Sequence, residues 1–176
     1  MTARVSLIQL REKNLSPRAL FELTRQAIKL TQRSSTKLLV NDLAGIASAA
    51  GADGVHLTSH SIDPRVARAN FGKAFIIGVS THTLEEARAA RDSPADFAVY
   101  GPVFETPSKT AFGVPLGVDN LRETASQVRP FCLIAIGGIT RENAALTLEA
   151  GACGVAAIRA FGDPELLGET VRAIRG

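Results

Sequence analysis

Ala50-Gly51-Ala52-Asp53-Gly54-Val55 and Ala150-Gly151-Ala152-Cys153-Gly154-Val155 are one short device written twice, a hundred residues apart. Each reads as a helix end with a glycine cap that runs straight into a strand. The interval leaves room for four helix–strand units of one kind. Strand-like apolar runs do recur through the chain, at Val5–Leu10, Lys37–Val40, Gly54–Leu57, Phe75–Val79, Phe97–Tyr100, Cys132–Ile136 and Gly154–Ile158. Helix start signals stand between them. Ser16-Pro17, Asp63-Pro64 and Asp163-Pro164 each pair a capping side chain with a proline suited to the first helical position, and Thr83 and Thr140 read as further caps.

Strand and helix alternate without a Pro/Ser-rich linker, which predicts a parallel sheet with helices outside it. A doubly wound sheet would carry a glycine-rich turn after its first strand, and Gln9-Leu10-Arg11-Glu12-Lys13 is not one. The remaining class is α/β of the TIM (β/α)8 type, one domain over residues 1–176. Such a barrel has eight strands and seven are counted, so the first strand–helix unit is expected to be missing. Met1-Thr2-Ala3-Arg4 reads as the end of a helix–strand connection, and a start upstream of it is expected.

Composition agrees with a buried parallel sheet. Of 176 residues, 45% are hydrophobic and only 5% aromatic, with no tryptophan, so the core must be aliphatic. The formal charge of +3 comes without Lys/Arg runs interleaved with aromatics, which argues against a nucleic-acid partner. No apolar run approaches the ~18 residues of a membrane helix, and no leader pattern opens the chain. Cys132 and Cys153 read as buried thiols of a reducing cytoplasm rather than a disulfide.

Barrels of this type carry their chemistry at the C-terminal strand ends, and here nearly every strand end is polar or glycine-rich. Gln9, Arg11 and Lys13 leave the first strand two residues apart, hence on one face while the chain stays extended; a guanidinium and an ammonium suit a phosphate or pyrophosphate. Asn41-Asp42 follows the second strand. Asp42 could hold Mg2+, which takes one or two carboxylates plus substrate phosphates, or could cap the next helix. His56 and His82 could serve as acid–base groups or as ordinary strand-end residues. Gly137-Gly138-Ile139-Thr140 ahead of a helix is suited to an anion, beside Arg159-Ala160 after the last strand.

Six segments together, in order, resemble thiamine phosphate synthase and the TenI-like thiazole tautomerases. They are Gln9-Leu10-Arg11-Glu12-Lys13, Leu39-Val40-Asn41-Asp42, Ala52-Asp53-Gly54-Val55-His56-Leu57, Gly78-Val79-Ser80-Thr81-His82-Thr83, Gly101-Pro102-Val103-Phe104-Glu105-Thr106-Pro107-Ser108-Lys109 and Ala135-Ile136-Gly137-Gly138-Ile139-Thr140. The resemblance covers nearly the whole chain. It implies a transferase of thiamine biosynthesis that joins an aminopyrimidine diphosphate to a thiazole phosphate with loss of pyrophosphate. By position, Gln9 would contact the pyrimidine, and Arg11, Lys13, Asn41 and Lys109 would hold the pyrophosphate. Ser80 would assist its departure, so that Ser80, Lys109 and Arg11 form the catalytic set. Thr106, Ser108 and the backbone of Gly138, Arg159 and Ala160 would bind the thiazole phosphate, and Asp42 would bind Mg2+. The implied partners are phosphorylated small molecules, with no nucleic acid and no membrane; the location is cytoplasmic, and a homo-oligomer is left open.

Two positions depart from the family pattern. The synthase has a second metal-binding Asp where this chain has Ser61, with Asp63 nearby but displaced, so the metal site is expected to be weak. The tautomerase has a His where this chain has Pro102, as in the synthase. The alternatives are a TenI-like tautomerase and a regulatory, non-catalytic barrel that binds a thiamine-related phosphate.

Overall fold

The computed structural model describes residues 5–106 and 114–175. By contact the chain falls into two units, one running through Ser80 and including Ser93–Asp96, the other formed by Thr81–Asp92 and the chain from Phe97 onward.

The first unit runs β1 (Leu7–Leu10), α1 (Pro17–Thr31), β2 (Lys37–Asn41), α2 (Ala44–Ala50), β3 (Gly54–Leu57), α3 (Pro64–Phe71) and β4 (Ile76–Thr81). Its strands are parallel and follow chain order, with Leu10 opposite Val40, Asn41 opposite His56 and Leu57 opposite Val79. Leu38, Val40, Val55, Leu57 and Ile77 are buried, and the small faces of Ala44, Ala47 and Ala67 bring the helices close. Gly54 is required for the same reason: a Cβ there would lie 2.0 Å from the Ile76 carbonyl oxygen.

The second unit runs α4 (Leu84–Arg91), β5 (Phe97–Tyr100), α5 (Gly117–Val128), β6 (Cys132–Ile136), α6 (Ala144–Glu149), β7 (Gly154–Ala156), a 3-10 turn (Arg159–Phe161) and α7 (Leu167–Arg175). Again the strands are parallel and in chain order, Tyr100 opposite Ala135 and Ile136 opposite Ala156. Ala98, Leu121, Val128, Leu133 and Ala135 are buried. The seven strands and their alternation with helices are those expected, although β7 stops at Ala156 and leaves Ile158 exposed.

Three caps form as expected. The side chains of Ser16, Asp63 and Thr83 accept from the backbone N–H groups of Ala19, Arg65 and Glu86. Two others do not head helices. Thr140 opens a turn, with α6 beginning only at Ala144, and Asp163 accepts from Glu165 N at 2.9 Å in a turn ahead of α7. In each case the backbone turns once more before the helix begins.

The doubled motif has the same backbone geometry in both units and different side-chain chemistry. Asp53 N donates to Leu38 O at 3.0 Å, and Cys153 N to Leu133 O at 2.9 Å. The Asp53 carboxylate then reaches back to the preceding strand, accepting from Leu38 N at 2.9 Å and Lys37 Nζ at 2.8 Å. At the matching place Cys153 reaches back to Cys132 in a disulfide, with Cα atoms 5.6 Å apart. This corrects the reading of two buried thiols: Cys132 is half-buried and Cys153 exposed. The parallel register of β6 and β7 sets the two Cα atoms within bridging distance.

A candidate phosphate-transfer site at the strand ends

In the first unit, Gln9, Asn41, His56 and Ser80 come together. Gln9 is the third residue of β1, and its Nε2 bonds to His56 Nδ1 on β3. Ser80 Oγ, on β4, lies 3.4 Å from His56 Nε2. Asn41 ends β2 directly opposite His56 in the sheet register. His56 is only 7% exposed. Burial pushes its pKa down to about 4, the Arg11 charge pushing the same way and the Val79 backbone opposing. The ring is therefore neutral at ordinary pH. Arg11 acts on His56 through its charge, but β1 has ended by then and the chain bends at Lys13. Lys13 thus does not continue the strand face expected of it.

Asp42 follows β2 with φ of 69°, the one non-glycine residue with positive φ among the described residues. Its N–H donates to His56 O at 2.8 Å, which ties the turn to β3. The helix-capping alternative is not what occurs, because α2 starts at Ala44 without a side-chain cap. Instead the Asp42 carboxylate accepts from Ser61 Oγ. Ser61 Oγ in turn accepts from Thr58 N at 2.7 Å and lies 3.1 Å from Thr58 Oγ1. Its own proton is given to Asp42, so the Thr58 hydroxyl is the donor in that last contact. Asp63 is held elsewhere, as the cap of α3. One carboxylate and one hydroxyl are hard oxygen donors that fit a Mg2+ ion supported by substrate phosphates. Among the described residues no group of three or more His, Cys, Asp or Glu side chains could hold a metal on its own.

In the second unit the Gly101–Thr106 segment continues β5 alongside Gly137-Gly138. Val103 N donates to Ile136 O at 2.9 Å and Phe104 N to Gly137 O at 3.0 Å. Gly138 has φ of +64°, and a Cβ there would stand 2.4 Å from the Glu105 carbonyl oxygen. Both the backbone sign and the close approach demand glycine. Arg159 Nη2 donates to Thr106 Oγ1 at 3.3 Å, so three of the residues expected around a thiazole phosphate share one strand-end region. The helix expected to follow Gly138 directly is displaced, and the Thr140 N–H is taken by Asn143 Oδ1 at 2.8 Å. Asn143 Nδ2 also donates to Gly138 O at 2.9 Å. Pro107, Ser108 and Lys109 lie outside the described residues.

His82 is a hydrogen-bonded strand-end residue, one of the two readings the sequence allowed: its Nδ1 lies 2.5 Å from Gly101 O, and its backbone N–H donates to Glu86 Oε2 at 2.6 Å. One role went unread in the sequence, that of Asn143, which braces the diglycine turn. A polar residue three positions after Thr140 was the available signal.

Parallel βα units of the TIM-barrel type, with polar side chains at the strand ends of the first unit and a diglycine at a strand end of the second, define the class of α/β protein to which the chain belongs. The chain belongs to the thiamine monophosphate synthase family, whose model matches residues 1–161. A Geobacter sulfurreducens protein is 46% identical over 162 residues, covering 92% of this chain and 76% of that one. The thiamine-phosphate synthase of Chlorobium luteolum is 40% identical over 169 residues, covering 96% and 79%. Among solved structures, the thiamine phosphate pyrophosphorylase of Pyrococcus furiosus superposes with a TM-score of 0.83 at 30% identity, over 97% of this chain and 81% of that one. A 3-hexulose-6-phosphate synthase shares the fold, with a TM-score of 0.68 at 18% identity.

Proposed function

We propose that this chain condenses an aminopyrimidine diphosphate with a thiazole phosphate to give thiamine phosphate and pyrophosphate. The observation that carries the reading is the Gln9–His56–Ser80 cluster beside Arg11 and Asn41, in a member of the synthase family. The C–O bond to the pyrophosphate breaks first. The pyrimidine methylene becomes a cation, and the thiazole nitrogen attacks it with its lone pair. Such a step demands groups already in place where the leaving charge develops. Arg11, Lys13, Asn41 and Lys109 hold the pyrophosphate, and the Ser80 hydroxyl donates to it. Gln9 contacts the pyrimidine. Thr106, Ser108 and the backbone of Gly138, Arg159 and Ala160 take the thiazole phosphate. Asp42, with Ser61 beside it, would hold a Mg2+ ion, whose charge would offset that of the pyrophosphate.

The reading treats residues 1–176 as one domain and leaves a homo-oligomer open. It places the enzyme in the cytoplasm. A second reading, a TenI-like tautomerase or a non-catalytic binder, is favoured by Ser61 in place of a carboxylate and opposed by Pro102. Purified protein with Mg2+ and both substrates should form thiamine phosphate and release pyrophosphate in equal amounts. Tight binding of the thiazole phosphate without product would instead select the second reading.

A further inference from the structure

We propose that Cys132–Cys153 is a thiol–disulfide exchange site: the bond clamps β7 to β6 and holds Arg159 against Thr106, and thiols that open it weaken the phosphate subsite at that strand end. The ligand half of this inference rests on the transferase reading above.

The pair occupies a place that the fold closes three times. Asp53, Asp96 and Cys153 each stand one residue ahead of a strand. Their backbone N–H groups donate to Leu38 O, Ile77 O and Leu133 O at 3.0, 2.8 and 2.9 Å, in each case the second residue of the preceding strand. Two of these places are then locked by a carboxylate. Asp53 accepts from Leu38 N at 2.9 Å and Asp96 from Ile77 N at 2.7 Å, and each also meets a cation at 2.8 Å, Lys37 and Arg68 respectively. The third is locked by sulfur. Lys37 opens β2 as Cys132 opens β6, so the disulfide stands where an ion pair stands between β2 and β3. An ion pair is closed to redox chemistry and a disulfide is not.

Cys153 is exposed and Cys132 half-buried, so an attacking thiolate reaches the Cys153 sulfur. It bonds there, and the S–S electron pair leaves on Cys132, which takes a proton. A second thiol then displaces Cys153. Two thiols are thereby oxidised to one disulfide, while the pair gains two electrons and two protons; a small-molecule disulfide reverses the step. β7 has little else to hold it. It is three residues long, all half-buried, and pairs with β6 alone among the described residues. Only residues 154–158 lie between the clamp and Arg159, which donates to Thr106 Oγ1 at 3.3 Å. All of these groups belong to the second unit. Disulfides of cytoplasmic proteins are usually transient and redox-sensing, in keeping with the location proposed above.

The test compares oxidised protein with protein held in dithiothreitol. In the native protein oxidised glutathione should close the bond and dithiothreitol open it, as followed by thiol titration; a bond that neither reagent changes overturns the proposal. On reduction, calorimetry should show inorganic phosphate bound about tenfold more weakly, the weight of one charge-assisted contact. Amide exchange should quicken across β7 and stay unchanged across β5. Equal affinity in the two states, or no phosphate binding by the oxidised protein, overturns the proposal. So does a redox effect on affinity that persists in Arg159→Ala. Cys132→Lys with Cys153→Asp rebuilds the Lys37–Asp53 pair and should bind phosphate as the oxidised protein does, with reductant or without it. Cys132→Ser with Cys153→Ser should bind as the reduced protein does, and a reductant effect in that variant overturns the proposal. The thiazole phosphate should follow inorganic phosphate. If it fails to bind while phosphate still responds to reduction, the transferase reading falls and this one stands.

Discussion

Ser61 Oγ donates a hydrogen bond to the Asp42 carboxylate, across 19 residues of sequence. The bond occupies a lone pair of the Asp42 carboxylate, the group that the proposed function assigns to Mg2+. Ser61→Asp should tighten Mg2+ binding by on the order of tenfold, since a second carboxylate adds direct attraction to a divalent cation. It should also raise any synthase rate. Isothermal titration with Mg2+ in the presence of pyrophosphate, together with initial rates, checks both. A protein that gains neither metal affinity nor rate would remove the metal from the reading.

Arg11 carries a charge that acts on His56, and the proposed reaction assigns that charge to the leaving pyrophosphate. If it acts where charge develops, Arg11→Ala should lower kcat by about a hundredfold or more, beyond any loss of substrate affinity. Lys109→Ala should behave alike. A rise in KM with kcat intact would assign either residue to ground-state binding alone.

Burial of neutral His56 makes stability depend on pH. The group's folded pKa, about 4, lies below its unfolded value of 6.5. Between those values the unfolded chain binds more protons, so stability rises with pH. The contribution is complete above 6.5 and is lost as pH falls toward 4, by roughly 3 kcal/mol in all. Urea unfolding from pH 7 to pH 4 should show this slope, and His56→Gln should flatten it.

Gly138 has no room for a Cβ against the Glu105 carbonyl and a backbone sign that disfavours one. Gly138→Ala should cost on the order of 1–3 kcal/mol and displace the turn that faces Thr106 and Arg159. Binding of the thiazole phosphate should fall at least tenfold, and Arg159→Ala should weaken the same ligand with little loss of stability. Calorimetry on both variants separates backbone from side-chain effects. Unchanged affinity in Gly138→Ala would put the anion elsewhere.

The Cys132–Cys153 bond closes a sequence separation of 21 residues. On the chain-entropy account a loop of that size stabilises by about 3 kcal/mol. Reduction with dithiothreitol should lower the urea midpoint accordingly, while the double variant Cys132→Ser, Cys153→Ser should be insensitive to the reductant. Equal midpoints for oxidised and reduced protein would show that the Cys153 N–H to Leu133 O ladder suffices.

The alternation of strand and helix, the Ser16, Asp63 and Thr83 caps and the polar character of the strand ends could all be read from the sequence. Each depends on residues within a turn or two of one another, where apolar period and cap chemistry act. The doubled Ala-Gly-Ala motif carried the repeat for the same reason: a glycine cap and the strand after it are one local event. What could not be read depends on which strand lies beside which, and in what register. Gln9 meets His56 across 47 residues, and Arg159 meets Thr106 across 53. Thr140 carried a cap signal but no sign that Asn143 would take its N–H and delay the helix. Cysteine spacing alone does not reveal that β6 and β7 set Cys132 and Cys153 with Cα atoms 5.6 Å apart. The sequence by itself determined the repeating unit and the stock of side chains at each strand end. Only the tertiary structure decided which of them touch, because parallel pairing aligns residues far apart in the chain and a shift of one position would turn each side chain to the other face.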